Sequence, residues 1–285
     1  MTKLLTFPIS SGTAASSMQA PTLSRHESYG VTLLGDFARP GGVTLAFTER
    51  TGGRSLSPFA SLNLGDACGD EPEVVNANRR LALEALGCED YANKLINPHQ
   101  VHGDHLVVLS EKDNEAWSAA FAEARAGADG VICTVPNVPV LLCFADCVPV
   151  ILVCSGGFAV VHSGWRGSIA RISQKAVSVL CAKTGVCPRE INAYVGPHIG
   201  RMDYEVSADL AKRFIGEFGE AAAADVRHLD LGFAVRAALL DGGVIPERIV
   251  SVEESTASTT GRFFSYRAEH GHCGRHGALA FMAAE

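Results

Sequence analysis

The stretch VPVLLCFADCVPVILVCSGGFAVVHS, residues 138–163, decides the fold. It holds three dense apolar runs of strand length, Val138 to Phe144, Val148 to Cys154 and Phe158 to His162, separated only by ADC and SGG. Apolar runs that do not alternate with polar residues belong to strands covered on both faces. A membrane span is excluded, because Asp146 and the prolines Pro136, Pro139 and Pro149 break the 131–154 region well short of the ~18 uninterrupted apolar residues required.

Outward from this stretch, strands and helices alternate. Upstream, VTLLGDF (31–37) and VTLAFTER (43–50) read as strands. Helices are expected downstream of Pro72 up to Gly87, over 114–126 and over 168–184, with Gly127 and Gly185 as stops for the last two. Further on come a strand INAYVG, helices at 207–218 and 229–240, and strands near 248–253, 263–267 and 278–282. No 20 to 50 residue repeat appears, and no linker interrupts the pattern. The expected fold is α/β: a single mixed domain over 26–285 with mixed sheets flanked by helices, layered α/β/β/α. Residues 1–25 read as a flexible extension.

The 285 residues are 47% hydrophobic and 19% charged, enough to bury a large core, and the formal charge of −7 disfavours nonspecific binding to nucleic-acid backbones. Nine cysteines, none in a CxxC pair, point to reduced thiols and a cytoplasmic location. The amino-terminal stretch lacks the apolar core of a secretory signal.

The chemistry concentrates in HQVHG (99–103), ADC (145–147) and HSGWRG (162–167). Imidazole and thiolate suit Zn²⁺, and three protein ligands with one open position are the usual arrangement at a catalytic zinc. His102, Cys147 and His162 are the candidate ligands, with His99 and His105 as neighbours; Cys143 fits either a fourth ligand or a core thiol. Cys147 taken alone reads as a core thiol; the neighbouring histidine strings turn it towards a ligand. Gly164 and Gly167 allow close backbone approach, and a helix starting near Ser168 would point unpaired N–H groups at an anion, with Arg166 adding a planar charge. The His-x-Glu and Pro-Cys-x-x-Cys of nucleobase deaminases and the HExxH of zincins are both missing from the sequence.

Together with SLNLG (61–65), VNANR (75–79), ADGVICT (128–134), ADCVPVIL (145–152), VGPHIG with YEV (195–206) and FFSYR (263–267), these strings resemble the bacterial laccase-domain proteins. That family, also called peptidoglycan editing factors or multicopper polyphenol oxidases, is related to a purine nucleoside phosphorylase of mammalian macrophages. The resemblance covers about residues 40–282. It implies a zinc site on His102, Cys147 and His162, phosphorolysis of adenosine, inosine, guanosine and methylthioadenosine, and deamination of adenosine. Purine nucleosides and phosphate are then the small-molecule partners, with neither nucleic acid nor membrane, and the oligomeric state stays open. Arg50, Arg166 and Arg267 are the expected anion-holding residues, Asn63 a polar contact to substrate, and Asp146 a partner orienting a ligating histidine or a general acid. The chain departs from the family in having Ala257, Ser258 and Thr259 where many members carry Cys-Thr, and His198 in place of a smaller polar residue.

Two other chemistries share these residues. Cys147 with His162 as its base would make a metal-free hydrolase or amidase acting on peptidoglycan precursors. Copper in the His₂Cys site would suit phenol oxidation, although His270 and His272 form the chain's one HxH grouping.

Overall fold

The computed structural model describes residues 18–284. Two sheets face each other. The first is antiparallel throughout, in the order β1 (Ser24–Ser28), β2 (Val31–Asp36), β3 (Val43–Thr48), β11 (His276–Met282) and β6 (Val140–Phe144). The second runs β10 (Ile249–Ser251), β9 (Asn192–Val195), β7 (Val148–Cys154), β8 (Gly157–Ser163), β5 (Gly130–Cys133) and β4 (Leu106–Leu109). It is mixed, with β10–β9 and β4–β5 parallel and the other pairs antiparallel.

The decisive stretch thus divides between the sheets. β6 belongs to the first, while β7 and β8 form a hairpin in the second through the two-residue turn Ser155-Gly156, where Gly156 takes φ 83°. ADC carries the chain across. Every residue of β7 and β8 is buried, as runs without polar alternation require. On β7, Ile151 and Val153 point between the sheets towards Leu45, Phe47 and Leu142. Val150 and Leu152 point the other way.

Helices cover both outer faces. α1 (Pro72–Leu86) sets Leu83 and Leu86 against Leu33, Leu141 and Leu279 of the first sheet. Behind the second sheet, α4 (Ile172–Thr184), α5 (Ala208–Phe218) and α6 (Leu231–Asp241) contribute Ala176, Phe214 and Ala234. α2 (Asn114–Ala126), capped by the Asp113 carboxylate, packs beside β4. The layering is α/β/β/α. Among the described residues no helix is long and apolar enough to cross a membrane.

Several sequence expectations change. The helix foreseen over 168–184 is two: α3 (Trp165–Ile169) ends before Arg171, whose left-handed φ of 56° breaks the spiral while its guanidinium binds Glu217 and Asp241. The strand foreseen at 263–267 is a turn region, because the Arg267 N–H donates to the Asp146 carboxylate and Ser265 N–H to Glu269 instead of to a neighbouring strand. Residues 1–17 of the expected extension lie outside the described residues. Met18 and Gln19 already pack on the fold, their carbonyls accepting from Arg248 and Asn192, and β1 starts at Ser24.

Candidate metal centre

Cys147 sits where the chain leaves one sheet for the other. The preceding Asp146 is held at φ 86°, a costly backbone for a residue with a side chain, by three bonds. Its carboxylate accepts from Thr256 Oγ1 (2.7 Å) and Arg267 N–H (2.7 Å), and its carbonyl from Ile199 N–H (3.0 Å). This locked kink aims Cys147. His162 lies near the end of β8, opposite Pro149 of β7, which brings it beside Cys147. His102 comes from the loop before β4, where it takes φ 59°.

The three side chains converge: their ligand atoms all lie within 4.8 Å of one another. The two imidazoles meet edge-on at a centroid distance of 4.9 Å and an angle of 83°. His162 is buried, Cys147 half-buried and His102 exposed, so the triangle opens on one side. Gly164 closes another side, because a Cβ there would stand 3.1 Å from His102 and 3.3 Å from Cys147 Sγ. Two imidazoles and one thiol in such a triangle fit a tetrahedral ion with a vacant fourth position. Cys143 is not part of it; its thiol donates to the Leu64 carbonyl, and burial pushes it up to about 11.

Electrostatics favour the thiolate form of Cys147. Burial by itself would raise its pKa, yet the charge and hydrogen bond of His162, with those of His102, bring the thiol down to about 6. Burial likewise opposes protonation of His162, but the Cys147 sulfur and the Asp129 carboxylate raise it to about 9. Asp129 is a residue that sequence reasoning missed. It is fully buried, and its Oδ1 accepts from His162 Nδ1 at 2.7 Å. Asp146, expected in that role, instead braces the Cys147 kink and the Arg267 backbone. The available signal was an acid at the head of the apolar run ADGVIC, where charge is expensive unless it has a task.

A cavity of about 580 Å³ opens over the triangle, lined among others by Gln100, Trp165, Arg166, Tyr204, Tyr266, Arg267 and Arg275. Arg166 stacks on Trp165 at 4.2 Å; α3, beginning at Trp165 and only five residues long, gives little of the helix-end field expected from Ser168. Arg267 stacks on Tyr204 and donates to the Glu205 carbonyl. Arg50 and Asn63 do not line the cavity. Arg50 is a brace, bonded to Glu269, Thr260 O and Ala60 O and lying over Phe264. Asn63 is buried and organises the loop behind the wall, its Oδ1 accepting from Gly65 N–H and Arg275 N–H. His99 lines the cavity without joining the triangle, and His105 pairs with Glu123 at the surface.

A family model described as multi-copper polyphenol oxidoreductase laccase matches residues 44–283. The chain belongs to this laccase-like family. Among its relatives, a protein named purine nucleoside phosphorylase YfiH from Shigella flexneri is 34% identical over 238 residues, covering 81% of this chain and 90% of the relative. One from Deinococcus radiodurans, also named purine nucleoside phosphorylase, is 36% identical over 241 residues, covering 82% and 87%. The crystal structure of YlmD from Geobacillus stearothermophilus superposes with a TM-score of 0.78 at 28% identity, covering 94% of this chain and 99% of that one. Despite the family's description, one His/Cys/acid group converges among the described residues, and His270 and His272 are not part of it. The several linked centres of a multicopper oxidase need many more imidazoles than this laccase-like chain brings together.

Proposed function

We propose that the protein is a zinc-dependent purine nucleoside phosphorylase, taking adenosine, inosine, guanosine and methylthioadenosine, with adenosine deaminase activity at the same centre. The observation that carries this reading is the His102, Cys147 and His162 triangle at the base of a cavity sized for one nucleoside. The names of its relatives support the same class. The donor set favours zinc, with copper as an adventitious substitute. When bound, the ion supplies a Lewis acid with a free coordination position. In phosphorolysis a phosphate oxygen bonds to ribose C1′ as the C1′–N9 bond breaks and its electron pair goes to the purine. In deamination water adds at C6 and ammonia leaves. The protein's task in both is orientation: Trp165, Tyr204 and Tyr266 offer ring faces and edges to base and sugar, while Arg166, Arg267 and Arg275 hold the anion. All nine cysteines are free thiols, which supports a reducing, cytoplasmic setting.

Incubation of zinc-loaded protein with adenosine tests this directly. Adenine and ribose 1-phosphate should form only with phosphate present, and inosine with or without it; intact adenosine in both reactions would reject the proposal.

One observation favours a second reading. Asp129, His162 and Cys147 stand in the order of an acid, base and nucleophile relay, the arrangement of metal-free thiol hydrolases and amidases, with peptidoglycan precursors as the amide substrates. Activity destroyed by thiol alkylation yet indifferent to chelators, in protein purified without zinc, would select it.

A further inference from the structure

We infer that Asp129 is a positioning residue that sets two ligands of the metal centre at once, the ring of His162 and the peptide of His102. Its carboxylate is fully buried and receives four N–H groups, two on each oxygen. Oδ1 accepts from His162 Nδ1 at 2.7 Å and from the His102 backbone at 2.9 Å; Oδ2 accepts from Gly103 at 2.6 Å and Val101 at 3.3 Å. Those four bonds exhaust the accepting capacity of a carboxylate.

Each bond has a consequence for the triangle. Accepting the Nδ1 proton of His162 leaves Nε2 as the nitrogen turned to Cys147 and to an ion. Gathering three successive backbone N–H groups stabilises the left-handed turn at His102, which a residue with a Cβ adopts only when its surroundings compensate. The carbonyl of Asp129 also accepts from the His162 backbone at 2.7 Å, fixing the strand as well as the ring.

This inference rests on the metal reading of the site. Asp129→Asn separates it from a plain folding role, because asparagine keeps the size but offers one oxygen to four donors. Either the 101–103 turn loses its acceptor or His162 moves its proton to Nε2. The probe is zinc alone, titrated against a chromophoric chelator, alongside thermal melts of metal-free protein and nitrogen-15 NMR of the zinc-loaded histidines. Zinc affinity should fall about 10- to 100-fold. In the wild type a slowly exchanging Nδ1 proton should be present on His162; in the variant either that proton is lost or, where the amide oxygen keeps it, the Val101 and Gly103 amide protons lose their protection. Unchanged zinc affinity in the folded variant overturns the inference, even if the metal-free melt drops, since Asp129 would then brace the loop only. Should the variant fail to fold, the wild-type spectrum decides: a His162 bearing its proton on Nε2 overturns the inference. Wild-type protein that binds no zinc at all would instead overturn the metal reading itself.

Discussion

Replacing Gly164 with alanine would push a methyl group into the metal triangle without straining the backbone, since Gly164 has φ −73° and ψ 174°. The added Cβ would lie 3.1 Å from His102 Cδ2, 3.3 Å from Cys147 Sγ and 3.7 Å from His162 Cε1. The first two separations are a few tenths of an ångström inside ordinary contact, so two of the three ligands must move apart. Overpacking of this kind costs about 1–3 kcal/mol. At 1.4 kcal/mol per decade that corresponds to a metal affinity roughly 5- to 150-fold weaker. Because Gly164 also caps α3, the variant gives up about 0.5–1 kcal/mol of fold stability, which a melt of metal-free protein measures separately. Chelator competition then isolates the effect on the ion. Wild-type metal affinity in a folded Gly164→Ala protein would refute the reasoning, because it would mean that the three ligands do not close on a common centre beside this glycine.

Arg50→Ala and Arg166→Ala should separate brace from cavity wall. The first breaks the ion pair with Glu269 and two carbonyl bonds and should lower unfolding free energy by about 3 kcal/mol in denaturant melts. The second should leave stability within about 0.5 kcal/mol yet raise the phosphate concentration needed for half-maximal rate; an unaltered phosphate dependence would remove Arg166 from anion binding. Burial works to raise the Glu49 pKa, but Arg25 and Arg262 hold it below the usual carboxylate value. Its contribution is therefore complete above the unfolded value of about 4.3 and lost as pH falls through the lower folded one. The stability gap between wild type and Glu49→Gln should widen from pH ~3 to pH ~5, and a constant gap in urea melts would refute the assignment. Burial pushes His276 down to about 3, outweighing the opposing pull of the Pro197 backbone. The unfolded chain takes up a proton below about pH 6.5 that the folded chain refuses, so wild-type stability should decline from there towards the folded value. His276→Leu should flatten that decline; parallel curves would contradict it.

The convergence of His102, Cys147 and His162 was legible because histidines beside glycine-rich turns and a cysteine between two apolar runs are poor core material together. The strands of 138–163 were legible too, since solid apolar runs of that length have few alternatives. Their distribution between two sheets was not. β6 and β7 look alike in composition, and what parts them is a single unusual φ at Asp146, sustained by Thr256, Ile199 and Arg267 from far along the chain. Arg166 and Arg267 line the cavity, but Arg50 was misplaced and Arg275 overlooked for a related reason: Arg50 finds Glu269 more than 200 residues away, a pairing that no local pattern encodes, and Arg275 reaches the cavity wall from a loop held by Asn63. FFSYR has the aromatic content of a strand but no partner, because its backbone N–H groups serve Asp146 and Glu269. Asp129 stayed hidden because its four bonds join residues 26 or more positions apart.

X-ray absorption at the zinc edge, on protein of measured metal content, tests the central claim most directly. The account predicts one zinc per chain with one sulfur at about 2.3 Å, two imidazole nitrogens at about 2.0–2.1 Å and one further light atom, the sulfur vanishing in Cys147→Ala. A zinc shell without sulfur, or a content far below one per chain in protein saturated with zinc, would contradict it.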